Sequence, residues 1–171
     1  MRDLAPDRTL TRATPADARA LLDLRERTAV HLAKRFGRKR RASRATIRSV
    51  LWELKRGDVI WVLRRGDDLV ASLVLGTRKP WSIDSSTFAH ASQPLYLTSM
   101  NVAPEVQRQG IGRLCLEEAK RIAKEWPADA IRLDAFDRED GAGEFYRKCG
   151  FREVARVRYR GTPLIYFELR L

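Results

Sequence analysis

The sequence has few cysteines and no long apolar run, and each shortage excludes a class of protein. Only two cysteines occur among 171 residues, Cys115 and Cys149, which argues against a disulfide-stapled secreted scaffold. Both lie in predicted helical turns, so we expect buried free thiols. No apolar run approaches the ~18 residues of a membrane span, and residues 1–6 lack a signal peptide's apolar stretch. We therefore expect a cytoplasmic protein with no membrane partner.

Positive charge, in contrast, is abundant. Lysine and arginine together number 34 against 22 acidic residues, which gives a formal net charge of +12. Such a charge attracts acidic partners and repels cationic ones over about a Debye length, ~8–10 Å in ordinary salt. The length and the 44% hydrophobic fraction fit one compact domain over residues 1–171.

The spacing of apolar residues predicts the order β-α-α-β-β-β-α-β-α-β-β, a mixed α/β (α+β) sheet structure rather than a Rossmann alternation. A short strand at 9–13 precedes Thr14, the predicted N-cap of a helix that runs to about Phe36 and ends at Gly37. A second helix, near 44–55, is closed by Gly57 and has one apolar face, formed by Ile47, Val50, Leu51 and Leu54.

The rest of the chain is predicted to be rich in strands. The predicted strands are 59–63, 69–75, 95–102, 130–136, 151–158 and 164–171, with one helix reaching about Trp126 and another over 141–149. A hairpin turn is expected at 65–68. The polar connection over 79–94 is longer than most hairpin loops, which makes it a candidate substrate-facing segment.

A glycine-bearing turn, Gln107-Arg108-Gln109-Gly110-Ile111-Gly112, lies where a predicted strand gives way to a helix. Unpaired N–H groups and the positive end of the helix dipole make such a turn an anion site. Its two glycines would let a phosphate or pyrophosphate approach the backbone, and Arg108 and Arg113 would add charge. The turn lacks the Lys-Ser/Thr ending of a P-loop and the full dinucleotide pattern. A plain tight helix entry is the alternative.

A second constellation follows about 35 residues later, in the run Gly143-Glu144-Phe145-Tyr146-Arg147-Lys148-Cys149-Gly150-Phe151. A predicted helix carries the adjacent aromatic residues Phe145 and Tyr146 and ends at Gly150, and a strand begins at Phe151. Taken alone, Tyr146 is more simply a core aromatic residue whose hydroxyl is satisfied.

Together, the two constellations resemble the GNAT-type N-acetyltransferase superfamily. The family's acyl-CoA signature, Arg/Gln-x-x-Gly-x-Gly/Ala, is matched by Gln107, Gly110 and Gly112. Its aromatic-Tyr-x-Lys-x-Gly-Phe run is matched by Phe145, Tyr146, Lys148, Gly150 and Phe151. The resemblance covers residues 58–171 well and the first two helices by element order only. It implies the acyl-CoA N-acyltransferase (GNAT) fold, acetyl-CoA as the acyl donor, and no metal.

The resemblance also implies roles for individual residues. The backbone amides of the signature turn would hold the CoA pyrophosphate; these residues are Gln107, Arg108, Gln109, Gly110, Ile111, Gly112 and Arg113. The strand at Met100, Asn101 and Val102 would pair with the pantetheine arm, beside a bulge that splays neighbouring strands. Tyr146 would lie near the CoA sulfur as a general acid. Many members carry Asn seven residues before that tyrosine, where this chain has Glu139.

The implied reaction is direct attack of an amine on the thioester in a ternary complex, without a covalent enzyme intermediate. Neutralising a lysine-like amine of pKa ~10.4 at pH 7 costs about 4.6 kcal/mol. The site must offset that cost with desolvation, a base or a water chain. Four residues are candidates for the base, each also explicable as a surface group, namely Glu105, Asp134, Glu139 and His90.

Residues 34–44 contain seven basic side chains and no acid: Lys34, Arg35, Arg38, Lys39, Arg40, Arg41 and Arg44. The plain interpretation is a solvated helix end and loop. A second hypothesis draws on the family, whose first two helices often border the acceptor site. Positive charge there would favour a small acidic or neutral amine and would repel polyamines and basic protein tails.

Two alternatives to this function stay open. One is a basic nucleic-acid-binding or acyl-CoA-sensing protein that uses the same fold without catalysis, although the basic run contains only Phe36 for base stacking. The other is acylation of a protein N-terminus or a ribosomal protein. The chain is expected to be a monomer or a homodimer, in which the C-terminal strands could pair.

Overall fold

A computed structural model describes residues 9–36, 45–56, 59–139 and 141–171, apart from the side chains of residues 35 and 36. These described residues form four α-helices and seven strands. The helices are α1 (Ala18–Phe36), α2 (Ile47–Lys55), α3 (Ile111–Glu125) and α4 (Gly143–Lys148). The strands are β1 (Thr11–Arg12), β2 (Ile60–Arg65), β3 (Asp68–Gly76), β4 (Pro94–Val102), β5 (Ala130–Phe136), β6 (Arg152–Tyr159) and β7 (Thr162–Arg170).

The predicted order of elements is confirmed, and most element ends differ from the prediction by one to three residues. The strand predicted over 130–136 has the same ends in the structure. The helix ends predicted at Gly37 and Gly57 lie outside the described residues. None of the described helices is both long enough and apolar enough to cross a membrane.

The strands hydrogen-bond in the order β1-β2-β3-β4-β5-β7-β6. β4 and β5 run parallel, whereas the pairs β1–β2, β2–β3, β5–β7 and β6–β7 are antiparallel. A sheet that mixes both directions requires hairpins as well as a crossover helix between strands. The mixed α/β class, as opposed to a Rossmann alternation, is therefore confirmed.

The chain forms two compact units, which are described here one at a time. The first consists of Met1–Val74 and Ser99–Glu118, and the second of Leu75–Thr98 and Ala119–Leu171. The boundaries fall inside β3, β4 and α3, so each of these elements contributes residues to both units.

The first unit begins with a short 3-10 turn, Pro15–Asp17, that leads into α1. The Asp17 carboxylate accepts a hydrogen bond from the Thr14 backbone N–H at 2.8 Å and another from Arg64 at 2.6 Å. The predicted N-cap, Thr14, thus begins the turn that leads into the helix, and Asp17 satisfies the N–H that precedes it. The β2–β3 hairpin turns at Gly66, whose φ of 60° lies in the left-handed region that favours glycine.

The apolar face predicted for α2 is only partly buried. Val50 is fully buried, whereas Ile47, Leu51 and Leu54 are half-buried. A bidentate ion pair links α2 to α1, because Glu53 accepts from the Arg25 guanidinium at 2.9 and 3.1 Å. The one aromatic residue of α2, Trp52, is 55% exposed.

In the second unit, a buried ion pair lies between β5 and β7. Arg132 donates through Nε to the Glu168 carboxylate at 2.9 Å, and both side chains are almost fully buried. Arg170 donates to the other oxygen of Glu168 at 3.0 Å. Arg132 and Arg170 also donate to the carbonyl oxygen of Ala89, at 2.7 and 3.2 Å. A buried carboxylate thus fixes two arginines that hold the end of the β3–β4 connection.

The rest of that connection, the predicted substrate-facing segment, is anchored in the same unit. The Tyr166 hydroxyl donates to the Ser82 carbonyl at 2.5 Å and accepts from the Asp84 N–H at 3.1 Å. Ile83 and Phe88 are buried, and Phe88 stacks on Tyr166 with ring centroids 5.5 Å apart. The segment is therefore packed against β7 along much of its length.

Candidate functional site

The glycine-bearing turn lies in the first unit, between the end of β4 and the start of α3. A 3-10 turn, Pro104–Val106, follows β4, and two residues of the signature then adopt left-handed backbone angles. Arg108 has φ 63° and Gly110 has φ 83°. The Gly110 carbonyl accepts the first helical hydrogen bond, from the Leu114 N–H at 3.0 Å. Gly110 is therefore the residue at which the turn becomes a helix.

This geometry leaves the entrance of α3 open. The first N–H groups of a helix have no partner inside the helix. A Cβ built on Gly110 meets no other atom within 4 Å, so the space beside its backbone is empty of protein. Arg108 and Arg113 are exposed on either side of Gly110. The arrangement can accept an anion at the backbone, with guanidinium groups available nearby.

Three side chains tie the turn to its surroundings in the first unit. Gln107 donates from Nε2 to the Val102 carbonyl at 3.0 Å, and Gln109 donates from Nε2 to the Glu105 carbonyl at 3.2 Å. Arg65, at the end of β2, donates to Oε1 of Gln109 at 3.3 Å. The sequence motif did not indicate these roles, because a signature glutamine is equally compatible with ligand binding or with bracing the turn.

The part of β4 that precedes the turn is irregular. Ser99 has φ 50°, a left-handed angle inside a strand, and its carbonyl accepts from Asn101 Nδ2 at 2.6 Å. Met100, Asn101 and Val102 are half-buried. The left-handed Ser99 interrupts the regular extended backbone of β4 just before these three residues. In the second unit, the recorded pairing of β4 with β5 covers only Pro94–Tyr96 against Ala130–Arg132.

Tyr146 lies in the second unit, on the short helix α4, and is 8% exposed. Three aromatic rings surround it, with centroids 5.4 Å (Phe145), 5.8 Å (Phe151) and 5.7 Å (Phe167) from its own. The left-handed Gly150, at φ 90°, ends α4, and the Phe151 N–H donates back to the Tyr146 carbonyl at 3.0 Å. Every aromatic residue of the second constellation therefore packs around this tyrosine.

The surroundings of Tyr146 keep its phenol protonated. Burial, reinforced by the negative charge of Asp134, raises the pKa of the Tyr146 hydroxyl above its usual range. A raised pKa weakens the phenol as an acid but ensures that the proton is present at neutral pH.

The four candidate bases have different surroundings. Glu105 is exposed and forms an ion pair with Arg27, and Glu139 and His90 are exposed. Asp134, on β5, is partly buried and is close enough to Tyr146 to influence its pKa. Within the described residues, no group of three His, Cys, Asp or Glu side chains is arranged as metal ligands.

The basic run is described only at its start. Lys34 is exposed near the end of α1, and for Arg35 the structure describes the backbone alone. The other five basic residues, Arg38, Lys39, Arg40, Arg41 and Arg44, lie outside the described residues. The two cysteines, Cys115 and Cys149, are free and buried, as predicted.

Comparison with known families assigns the chain to one class. Residues 20–151 match the description "Acetyltransferase (GNAT) family". The match covers well over half of the chain and includes both constellations, so the chain belongs to the GNAT family. Its class is that of an acetyltransferase enzyme, as the sequence resemblance predicted.

Solved structures with the same fold include several acetyltransferases. The PaiA N-acetyltransferase of Thermoplasma acidophilum, in complex with coenzyme A, is 16% identical, with a TM-score of 0.75 over 98% of this chain and 100% of that one. YncA of Salmonella typhimurium, a putative acetyltransferase with its cofactor acetyl-CoA, is 18% identical, with a TM-score of 0.68 over 95% and 93%.

A third neighbour has a protein acceptor in its name. The ribosomal-protein-S18-alanine N-acetyltransferase of Escherichia coli is 16% identical, with a TM-score of 0.70 over 97% of this chain and 94% of that one. At these identities the likeness concerns the fold. No curated protein sequence matches this chain.

Proposed function

We propose that this enzyme transfers the acetyl group of acetyl-CoA to the amine of a small acceptor that is acidic or neutral. Transfer would take place by direct attack in a ternary complex. The observation that carries the proposal is the turn at 107–113, because it leads directly into α3 and leaves open space beside the backbone of Gly110, at a helix N-terminus suited to an anion. Two neighbours of the same fold contain coenzyme A or acetyl-CoA, which supports the choice of donor.

Two neighbouring segments would bind different parts of acetyl-CoA. The backbone from Gln107 to Arg113 would hold the pyrophosphate, and the strand at Met100, Asn101 and Val102 would pair with the pantetheine amides. Ser99, with its left-handed φ of 50°, supports the second role, since it breaks the regular extended backbone of β4 directly before these residues. Acetyl-CoA would supply the activated thioester.

Two side chains would transfer protons during the reaction, one as a general acid and one as a general base. As the amine nitrogen forms its bond to the acetyl carbon, the C–S bond breaks and the sulfur takes up the electron pair. Tyr146 would donate its proton to this sulfur, because the phenol is protonated at neutral pH. Asp134 is the base that the structure favours among the four candidates, since it alone among them influences the Tyr146 pKa. It would accept the amine proton directly or through water.

The turn can be tested with a matched pair of glycine variants. Gly110 and Gly161 have nearly equal backbone angles, φ 83° and 81°, and a Cβ on either meets nothing within 4 Å. Each change to alanine imposes a similar left-handed strain of about 1–2 kcal/mol. Only Gly110→Ala places its methyl group where the pyrophosphate would lie. Gly161 is in the β6–β7 turn and serves as the control.

Calorimetric titration of acetyl-CoA into the parent, Gly110→Ala and Gly161→Ala measures the affinity of each protein. We expect micromolar binding by the parent and by Gly161→Ala, and about tenfold weaker binding by Gly110→Ala, corresponding to about 1.4 kcal/mol. Both variants should lose similar amounts of thermal stability. The absence of acetyl-CoA binding by the parent, or equal affinities in all three proteins, would refute this binding site.

The charge of the acceptor can be tested in a screen of amines. The formal net charge of +12 supports an acidic or neutral acceptor, because a cationic one would be repelled. We expect acidic amines to be acetylated faster than spermidine, with a difference that shrinks in high salt as screening increases. Peptides with an N-terminal alanine belong in the screen because the Escherichia coli neighbour is named for such an acceptor. Spermidine as the fastest acceptor at every salt concentration would contradict the proposed acceptor class.

A further inference from the structure

The outward face of α2 combines an exposed tryptophan with cations. Arg48, Trp52 and Lys55 are exposed, as is Arg56 directly after the helix. At 3.6 residues per turn these four positions fall within an arc of about 100°. The opposite side of the helix carries Val50, which is fully buried. The exposed side is therefore one continuous surface, here called the Trp52 face.

The Trp52 face carries positive charge without a competing carboxylate from its own helix. The only acidic residue of α2 is Glu53, which is held in a bidentate ion pair by Arg25 from α1. Trp52 is 55% exposed, and the guanidinium carbon of Arg56 lies 4.0 Å from the centroid of its ring. A cation stacked in this way helps to fix the indole as a flat platform.

We propose that the Trp52 face binds single-stranded nucleic acid. The indole would stack on an unpaired base, and Arg48, Lys55 and Arg56 would contact the flanking phosphates. Stacking platforms combined with arginine and lysine are how proteins hold single strands without sequence preference. An acidic protein segment would use the cations but would gain little from an exposed indole. Duplex nucleic acid keeps its bases stacked internally and has none to offer Trp52.

This inference supplies a feature that the basic run lacks. The sequence over 34–44 contains Phe36 as its only aromatic residue, which argued against nucleic-acid binding. The apolar periodicity of α2 predicts which of its residues are buried, and the exposure of Trp52 does not follow from that pattern. The proposed binding is a property additional to acetyl transfer and does not depend on it.

The test uses the full chain and a fluorescein-labelled 12-nucleotide oligo(U), with anisotropy measured from 50 to 200 mM salt. We expect binding that weakens about 5- to 150-fold in Trp52→Ala, the range found for loss of one stacked base. The matched control is Trp81→Ala. Trp81 is 87% exposed in the second unit, and the amine of the nearby Lys79 is held by the Ile83 carbonyl at 2.7 Å. We expect Trp81→Ala to bind like the parent.

A second variant tests the cations. In Arg48→Gln/Arg56→Gln, the slope of log K against log salt should fall by about 1.4, because each single-strand phosphate contact contributes ~0.7. Circular dichroism spectra that match the spectrum of the parent would show that all three variants are folded. No oligo(U) binding at 50 mM salt, equal loss in Trp52→Ala and Trp81→Ala, or equally tight binding of poly-glutamate that does not depend on Trp52 would overturn the proposal.

Discussion

The turn at 107–113 depends on its backbone conformation, whereas the surroundings of Tyr146 depend on side chains. In the first unit, the turn has left-handed backbone at Arg108 and Gly110, and its own side chains brace it. In the second unit, Tyr146 depends on side chains that are distant in sequence, namely Phe167 and Asp134. A backbone site can tolerate many side-chain changes. The environment of the tyrosine requires particular partners, so the two regions should respond differently to substitution.

The largest effect is expected from the buried ion pair of the second unit. Glu168→Ala would leave Arg132 buried without its carboxylate and would also remove the partner of Arg170. Breaking a buried pair in this way destabilises a protein by about 3–5 kcal/mol. Urea unfolding monitored by circular dichroism measures the change in the free energy of unfolding.

The exposed pair Arg121–Glu125 provides the control for this prediction, since Glu125→Ala should cost less than about 1 kcal/mol. Similar losses for Glu125→Ala and Glu168→Ala would contradict the view that the second unit depends on buried side-chain partners.

Tyr146→Phe is expected to lower kcat about 100-fold, the magnitude of a lost general acid. The acetyl-CoA affinity should stay within a factor of two, because the pyrophosphate turn is untouched. Steady-state release of free thiol measures kcat. Tyr159→Phe removes a hydroxyl from the half-buried Tyr159 of β6 and should leave kcat unchanged. A fully active Tyr146→Phe enzyme would reduce Tyr146 to a core aromatic residue.

The contrast between the two regions also explains what the sequence could and could not predict. The order of elements and the turn at Gly110 follow from local signals, namely apolar periodicity and glycine at a strand–helix junction. Partners such as Arg132 and Glu168 are 36 residues apart in the chain, and no local pattern indicates that they meet. The direction of the Tyr146 pKa shift depends on burial and on Asp134, both of which are tertiary properties.

The smallest expected effect is a pH dependence that originates in the first unit. Burial, reinforced by Glu118, raises the pKa of the Cys115 thiol from 9.0 to about 12. Above pH 9 the unfolded chain can release this proton while the folded chain retains it, so stability falls as pH rises. The Cys115 contribution should be about 1.4 kcal/mol lower at pH 10 than at pH 7.

Urea unfolding of the parent and of Cys115→Ala across pH 7–10 isolates this contribution, because other titrating groups are common to both proteins. The free energy of unfolding should fall more steeply with pH in the parent. Parallel profiles for the two proteins would contradict the raised pKa.

Whether the turn serves binding and Tyr146 serves chemistry can be measured directly. Single-turnover acetyl transfer at saturating acetyl-CoA, combined with the equilibrium Kd, separates binding from chemistry in Gly110→Ala and Tyr146→Phe. Our account predicts that each variant changes only one of the two quantities. Gly110→Ala should raise the Kd for acetyl-CoA about tenfold and retain the single-turnover rate. Tyr146→Phe should retain the Kd and lower the single-turnover rate about 100-fold. Loss of acetyl-CoA binding in Tyr146→Phe, or an unchanged Kd in Gly110→Ala, would contradict it.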